Sequence, residues 1–292
     1  MFVIRSYIKK NIIKDYKFIR FFALIFVYFF QTHTVYSVEE LDNADVEYIG
    51  IIYDKALEKY NMQKYEASLE DIRHVIKSDM TNYNLRYLAA HNHWRLGNYD
   101  SAIAHFETAM NKNSQKPGSY IDLSLLYLQL KNYKASKKIL LKGIDDLNAA
   151  NTSVPSKVYN ILSRLSFYEG NFTEALEYAQ EAKAIFNQNK AGIKDKLEAV
   201  ILEARAHLEL KNFEKAELSA LWALNLKKDN PYAYNLLGYI YEKWANTVSD
   251  ENKKQELLKK SKENYEITIH NSNNPENLNK LIQENINRII TP

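Results

Sequence analysis

The sequence predicts an all-α fold built from stacked helical hairpins, and three observations carry that prediction. Only 7 glycines and 5 prolines occur in 292 residues, so few connections need special backbone angles, and long helices with short turns are favoured over strands. A turn followed by an aromatic residue, with a small residue three positions on, recurs along the chain. Leu96-Gly97-Asn98-Tyr99-Asp100-Ser101-Ala102 is the clearest copy, and Tyr65, Tyr133, Phe172 and Phe213 open the others. Tyr65, Tyr99 and Tyr133 are each 34 residues apart.

Composition narrows the function classes. Apolar residues make up 46% of the chain and charged residues 26%, as in folded globular proteins. With no cysteine there can be no disulfide, thiolate metal site or cysteine nucleophile. The net charge of +3 is set by the N-terminus, because residues 1–37 hold Arg5, Lys9, Lys10, Lys14, Lys17 and Arg20 against the single acid Asp15. The remainder is close to neutral, which gives no electrostatic reason to expect nucleic acid as a partner.

Taken in order, the chain opens with that basic segment and the ten-residue apolar run Phe21–Phe30. A ten-residue helix spans about 15 Å, half of a hydrocarbon core of ~30 Å, which is the size of a signal-peptide apolar region. Small Ser37, with Val35 two before it, marks a cleavage site, so residues 1–37 are expected to be an export signal and 38–48 a short acidic lead-in. The alternative is an uncleaved anchor in the inner membrane, in which Phe18 and Ile19 extend the run and Arg20 snorkels. The usage of Lys, Asn, Ile and Tyr suggests an AT-rich bacterial genome, and with the signal it points to the periplasm or envelope.

The repeats follow. Phe172 and Phe213 come 39 and 41 residues after their predecessors, and the extra residues fall in the loops 151–155 and 187–192. Tyr234, Leu237, Gly238 and Tyr241, with the Ala102, Phe106 and Ala109 of the opening copy, resemble the two helix signatures of the tetratricopeptide repeat, a helix–turn–helix unit of 34 residues. Ala175, Ala179 and Ala182, then Ala216, Ala220 and Ala223, repeat the small-residue stripe on which two antiparallel helices approach closely. Pro117, Pro155, Pro231 and Pro275 each fall at or before an expected first-helix start, where a missing N–H costs little. The resemblance implies a right-handed superhelical solenoid of about six units, 49–82, 83–116, 117–150, 156–190, 197–230 and 231–271. Unit one is degenerate, with Lys55 and Lys59 at apolar positions; the last carries the polar insert Ala245–Asp250 before a helix expected around Glu256–Ile269. Over 275–290, Leu278, Leu281, Ile282, Ile286, Ile289 and Ile290 share one helical face and form an expected C-terminal cap helix, with a partner-binding tail as the alternative.

No chemistry-bearing motif stands out. His91 and His93 point to different faces of a helix, and acidic pairs such as Glu70-Asp71 diverge in the same way. There is no Gly-rich phosphate loop, Gly-x-Ser-x-Gly or His-Glu-x-x-His. The chain is therefore expected to be no enzyme and to need no cofactor or metal. The resemblance implies instead that the first helices line a concave groove holding a protein or peptide ligand. It places Tyr53, Leu57 and Tyr60 there from unit one, Tyr87, His91, Trp94 and Arg95 from unit two, and Ile121, Leu125 and Leu128 from unit three. Units four to six contribute Lys157, Asn160, Arg164 and Phe167; Ile201, Arg205 and Leu208; and Tyr232, Asn235 and Tyr239. The alternatives are that these residues are buried against a neighbouring helix, or that the N-terminal segment fills the groove. Tyr53, Leu57, Leu88, Gly118 and Asp122 occupy slots where a carboxylate-clamp co-chaperone carries its Lys, Asn and Arg, so that function is not expected. The competing expectation is an accessory subunit of an envelope assembly that uses the array only structurally. The export signal is checked by fusing residues 1–48 to a reporter that is active only outside the cytoplasm: activity is expected, and a silent, cytoplasmic fusion contradicts it.

Overall fold

The computed structural model describes residues 43–78, 82–187 and 192–271, with Ile282 and Asn285 beyond them. The export signal 1–37, most of the lead-in, the middle of the loop 187–192 and nearly all of the cap helix 275–290 lie outside the described residues. The chain divides into a unit ending at Asp54 and a second from Lys55 onward; the described part of the first is helical. Among the described residues there are twelve α-helices and no strand. They are α1 (Asn43–Asn61), α2 (Tyr65–Ser78), α3 (Tyr83–Arg95), α4 (Tyr99–Lys112), α5 (Pro117–Gln129), α6 (Tyr133–Ala149), α7 (Ser156–Tyr168), α8 (Phe172–Ala184), α9 (Ile193–Glu209), α10 (Phe213–Leu226), α11 (Pro231–Ala245) and α12 (Glu251–Asn271). From α2 to α12 each helix packs against the next in sequence, and α7 also meets α9. This is the all-α architecture of consecutive helical hairpins that the sequence predicts.

The turn inside each of the first five hairpins has one conformation. The residue two before each turn aromatic is left-handed: Gln63, Gly97, Lys131, Gly170 and Lys211 have φ between 58° and 77°. The amide of the following residue then bonds a carbonyl five residues back, as in Asn98 N–H to His93 O at 2.9 Å and Asn132 N–H to Tyr127 O at 2.8 Å. These bonds satisfy the orphan carbonyls at the end of the first helix in the manner of a Schellman cap.

Beyond the turn, the two helices touch at a pair of small residues nine before and three after the aromatic. The pairs are Ala56/Ser68, Ala90/Ala102, Ser124/Ser136, Ser163/Ala175 and Ala204/Ala216, all fully or almost fully buried. Three of the four serines donate across the contact: Ser68 Oγ to Ala56 O at 2.7 Å, Ser136 Oγ to Ser124 O at 2.8 Å, and Ser163 Oγ to Ala175 O at 2.7 Å, while Ser124 Oγ donates within its own helix to Ile121 O at 2.7 Å. Each of the three bridging hydroxyls is thereby satisfied while it holds two backbones together.

Two local expectations change. Lys55 and Lys59, at apolar positions of α1, reach Asp71 of α2 at 3.5 and 2.6 Å, so an ion pair stands in for the apolar contact. The last helix begins at Glu251 rather than near Glu256, because the Asp250 carboxylate caps it, accepting from Asn252 N–H at 2.9 Å and Lys253 N–H at 3.4 Å. Pro117 and Pro231 take the first turn of α5 and α11, and Pro155 precedes α7; Pro275 lies outside the described residues. At the C-terminal end Ile282, 1% exposed, clusters with Tyr265, Tyr239 and Ile269.

Gly238 of α11 and Ser261 of α12 make the same small-residue contact, Ser261 Oγ donating to Gly238 O at 2.6 Å. A Cβ on Gly238 would lie 2.7 and 2.8 Å from ring carbons of the fully buried Tyr265. Gly238→Ala is therefore expected to destabilise the chain by about 1–3 kcal/mol, the cost of overpacking a core contact. Chemical denaturation is the measurement, with Gly50→Ala, which meets nothing within 4 Å, as the reference.

Candidate functional site on the first helices

Helix spacing puts Tyr83, Tyr87, His91 and Trp94 on one face of α3. Their rings run in sequence: Tyr83 to Tyr87 at 5.4 Å, Tyr87 to His91 at 4.6 Å and His91 to Trp94 at 6.0 Å between centroids. Tyr60 of α1 joins at 6.1 Å from His91, and Phe106 of α4, fully buried, supports Tyr87, His91 and Trp94 at 5.8, 5.2 and 6.0 Å. All but Phe106 are only partly buried, so a continuous aromatic surface remains open.

The next first helix, α5, fixes the polar edges of those rings. Asp122 accepts from the Tyr87 hydroxyl and, at 3.1 Å, from His91 Nε2. Burial pushes the Asp122 carboxyl up, but the bonds from His91 and Tyr87 and the charges of His91 and Lys157 outweigh it, so its pKa lies below the ordinary value. The same carboxylate raises the Tyr87 phenol, whose own burial is the larger cause. Trp94 Nε1 donates to Gln129 Oε1 at 2.9 Å, Arg95 Nε approaches the Tyr60 hydroxyl at 3.4 Å, and Lys116 Nζ sits 4.3 Å over the Tyr83 ring.

The remaining expected groove residues divide between open and packed positions. Leu125 and Leu128 lie half-buried against the core formed by α6 and α7. Arg164 pairs with Glu198 at 3.3 Å, and Phe167 lies 4.3 Å beneath the Arg205 guanidinium and 5.2 Å from Phe172. Tyr53 is half-buried, with its phenol raised by burial and by Asp54. Three residues are corrected: Ile121, Asn160 and Leu208. Ile121, 8% exposed, belongs to the core with Leu140 and Val158, and Asn160, 0% exposed, spends its amide on the Asp195 carbonyl at 3.0 Å. Neither faces an open surface; Asn160 ties α7 to the start of α9. Leu208 is likewise buried, whereas Tyr232 stands 65% exposed.

Asp122, Gln129 and Lys116 complete the site although none is among the expected groove residues. Asp122 follows Tyr87 by 35 residues, one repeat plus one, and that near-period is the only signal the sequence holds for it. Among the described residues no group of three or more histidine, aspartate or glutamate side chains is placed to hold a metal ion. No described helix is long and apolar enough to cross a membrane.

His93, on another face of α3, stacks on His105 of α4 with centroids 5.4 Å apart. Both line a cleft of about 470 Å³ with Leu69, Ile72 and Ile76. Arg86 Nη1 lies 3.4 Å from His105 Nδ1, so that nitrogen accepts and the ring is neutral. Burial, reinforced by the charges of His93 and Arg86, pushes His105 down from 6.5 to about 4.

Residues 87–146 match the family model described as tetratricopeptide repeat. Among solved structures, a chain of the APC/C hetero-tetramer Cut9–Hcn1 superposes with a TM-score of 0.60 at 14% identity. The match covers 83% of this chain and 43% of that one, so this chain spans less than half its length. Pseudomonas aeruginosa pilF gives 0.58 at 13% identity over 83% of this chain and 99% of that one. YrrB, described as a TPR protein with an unusual peptide-binding site, gives 0.51 at 15% identity over 68% and 96%. At these identities the likeness is one of fold. No curated protein matches the sequence.

A histidine pushed down from 6.5 to about 4 binds more protons unfolded than folded between those values. Its contribution to stability is complete above about pH 6.5 and is lost as pH falls towards 4. Denaturation midpoints should therefore drop across this window, and by less in His105→Gln than in the parent; equal slopes would contradict the assignment.

Proposed function

For a chain that carries tetratricopeptide repeats over residues 87–146, we propose a non-catalytic scaffold that holds a peptide segment or helix of a partner protein on its first-helix face. The observation that carries this reading is the partly open aromatic surface of Tyr60, Tyr83, Tyr87, His91 and Trp94, with its polar atoms fixed by Asp122, Gln129 and Arg95. Aromatic side chains whose rotamers are already held lose little entropy on binding and act as energetic anchors. Several repeats contribute to one surface, so modest contacts add along an extended ligand. The peptide-binding description of YrrB supports the same kind of ligand for this fold. We place the scaffold in a bacterial cell envelope, exported by residues 1–37, on the strength of the basic segment and the ten-residue apolar run.

A displayed library of random 15-residue peptides, selected against the full-length chain, tests this. Peptides should be recovered, and Trp94→Ala should weaken them by about 30-fold or more, the effect of losing a hot-spot side chain. Circular dichroism should be unchanged, because Trp94 is partly exposed. Binders indifferent to Trp94→Ala and to Tyr60→Ala, or no binders at all, contradict the assignment.

A further inference from the structure

The outward face of the second helices differs in one repeat. At the fifth, eighth and ninth residues after the turn aromatic, the first repeat carries Glu70, Arg73 and His74, and the fourth carries Glu177, Gln180 and Glu181. In the second and third repeats only Ala104 and Leu141 are apolar at these places. On α10 all three are large and apolar, and all three are open: Leu218 is 66% exposed, Leu221 44% and Trp222 39%. They form one stripe on a helix whose opposite face, Ala216, Ala220 and Ala223, is fully buried.

The stripe is held in place. Lys183 of α8 lies 4.4 Å over the Trp222 ring and is itself anchored at 2.6 Å by the buried carboxylate of Glu203, which also accepts from Ser219 at 2.9 Å. An exposed indole fixed in this way is pre-organised for a contact.

Charge placement selects the occupant. At 100° per residue, Glu214 falls on the Leu221 edge of the stripe and Lys215 on the Trp222 edge, each about two turns N-terminal of the residue it aligns with, and both are exposed. A two-fold axis parallel to α10 therefore sets Glu214 of one copy against Lys215 of the other, in both directions at once. At the level of the stripe it sets Leu221 against Trp222. The face is complementary to itself in this arrangement, as an isologous contact requires.

We propose that α10 is a self-association surface on which a second copy of this chain packs, the two α10 helices side by side and parallel. Three side chains on one helix fall short of the ~800 Å² that a stable interface buries per partner, so the dimer is weak and forms at high protein concentration.

Sedimentation equilibrium of the full-length chain over a wide concentration range reads this out. A mass rising towards twice the protomer is expected. Leu218→Glu, an exposed position that leaves the core untouched, should weaken association at least tenfold. Glu214→Lys and Lys215→Glu should each weaken it, and the double exchange Glu214→Lys/Lys215→Glu should restore it. A monomer at every concentration, an association indifferent to Leu218→Glu, or a double exchange that fails to restore it would each overturn the proposal.

Discussion

The closest approach of the two helices in each hairpin is the constraint on which the rest of this chain depends. Two backbones come together where the side chains are Ala, Ser or Gly, and the serines turn the contact into a bond from hydroxyl to carbonyl. A larger residue at either member would force the axes apart and strip van der Waals contacts from every neighbour, because cores relax only partly. The pair is twelve residues apart in the five regular hairpins, nine before the aromatic and three after, and that spacing fixes the turn. The left-handed residue two before the aromatic then reverses the chain in the fewest residues that bring the pair face to face. The last hairpin shows which of the two features is indispensable: its insert lengthens the turn and moves the partners to 238 and 261, yet the contact and its hydrogen bond persist.

Once that approach is fixed, neighbouring positions are free to differ, and they do. Six residues before the turn aromatic stand Tyr127 and His93, and later His207, with Tyr241 as their counterpart on the first helix of the last hairpin. The Tyr241 hydroxyl spans to Glu217 of the preceding second helix at 2.6 Å. Imidazoles are shorter. His93 turns to stack on His105, and its Nδ1, like that of His207, is buried without a hydrogen-bond partner among the described residues. A neutral ring tolerates such a site where a charged one does not, which is why burial lowers the pKa of all three histidines. Substituting one ring type for another at a fixed place in the repeat thus leaves the architecture intact while making part of its stability depend on pH.

How much of this was legible in the sequence follows from the range of each signal. Periodicity within one helix reports which residues share a face, and that is enough for the hairpins, the small-residue stripe of Ala175, Ala179 and Ala182, and the alignment of Tyr87, His91 and Trp94. Contacts between neighbouring first helices are set by side chains 31 to 36 residues apart, and no local pattern encodes them. Asp122 therefore looked like a residue departing from a clamp, although it anchors both Tyr87 and His91. Asn160 takes a groove slot only by the register of the repeat; its amide is instead consumed by a backbone carbonyl of α9, the next first helix. Ile121 leaves its groove slot for the opposite reason, since an aliphatic chain beside the core of Leu140 and Val158 gains more by turning inward. The early start of α12 escaped notice because Asp250 reads equally well as loop or cap until the helix behind it is placed.

The aromatic surface and the core are not separable modules. Phe106 is a packing residue of α4, fully buried, and three of the exposed rings rest on it. Asp122, in turn, belongs to the following repeat, so the orientation of Tyr87 and His91 depends on how α5 sits against α3. Recognition is thus a property of two adjacent repeats and the interface between them, not of either alone. A substitution at Phe106 would be felt twice, once as a cavity and once as a loosened surface. A change at Trp94 or Tyr60, both only partly buried, would be felt mainly where a ligand lies. The motif that builds the repeat and the face that binds meet at one ring, and that ring limits how far the binding surface can vary while the fold stays the same.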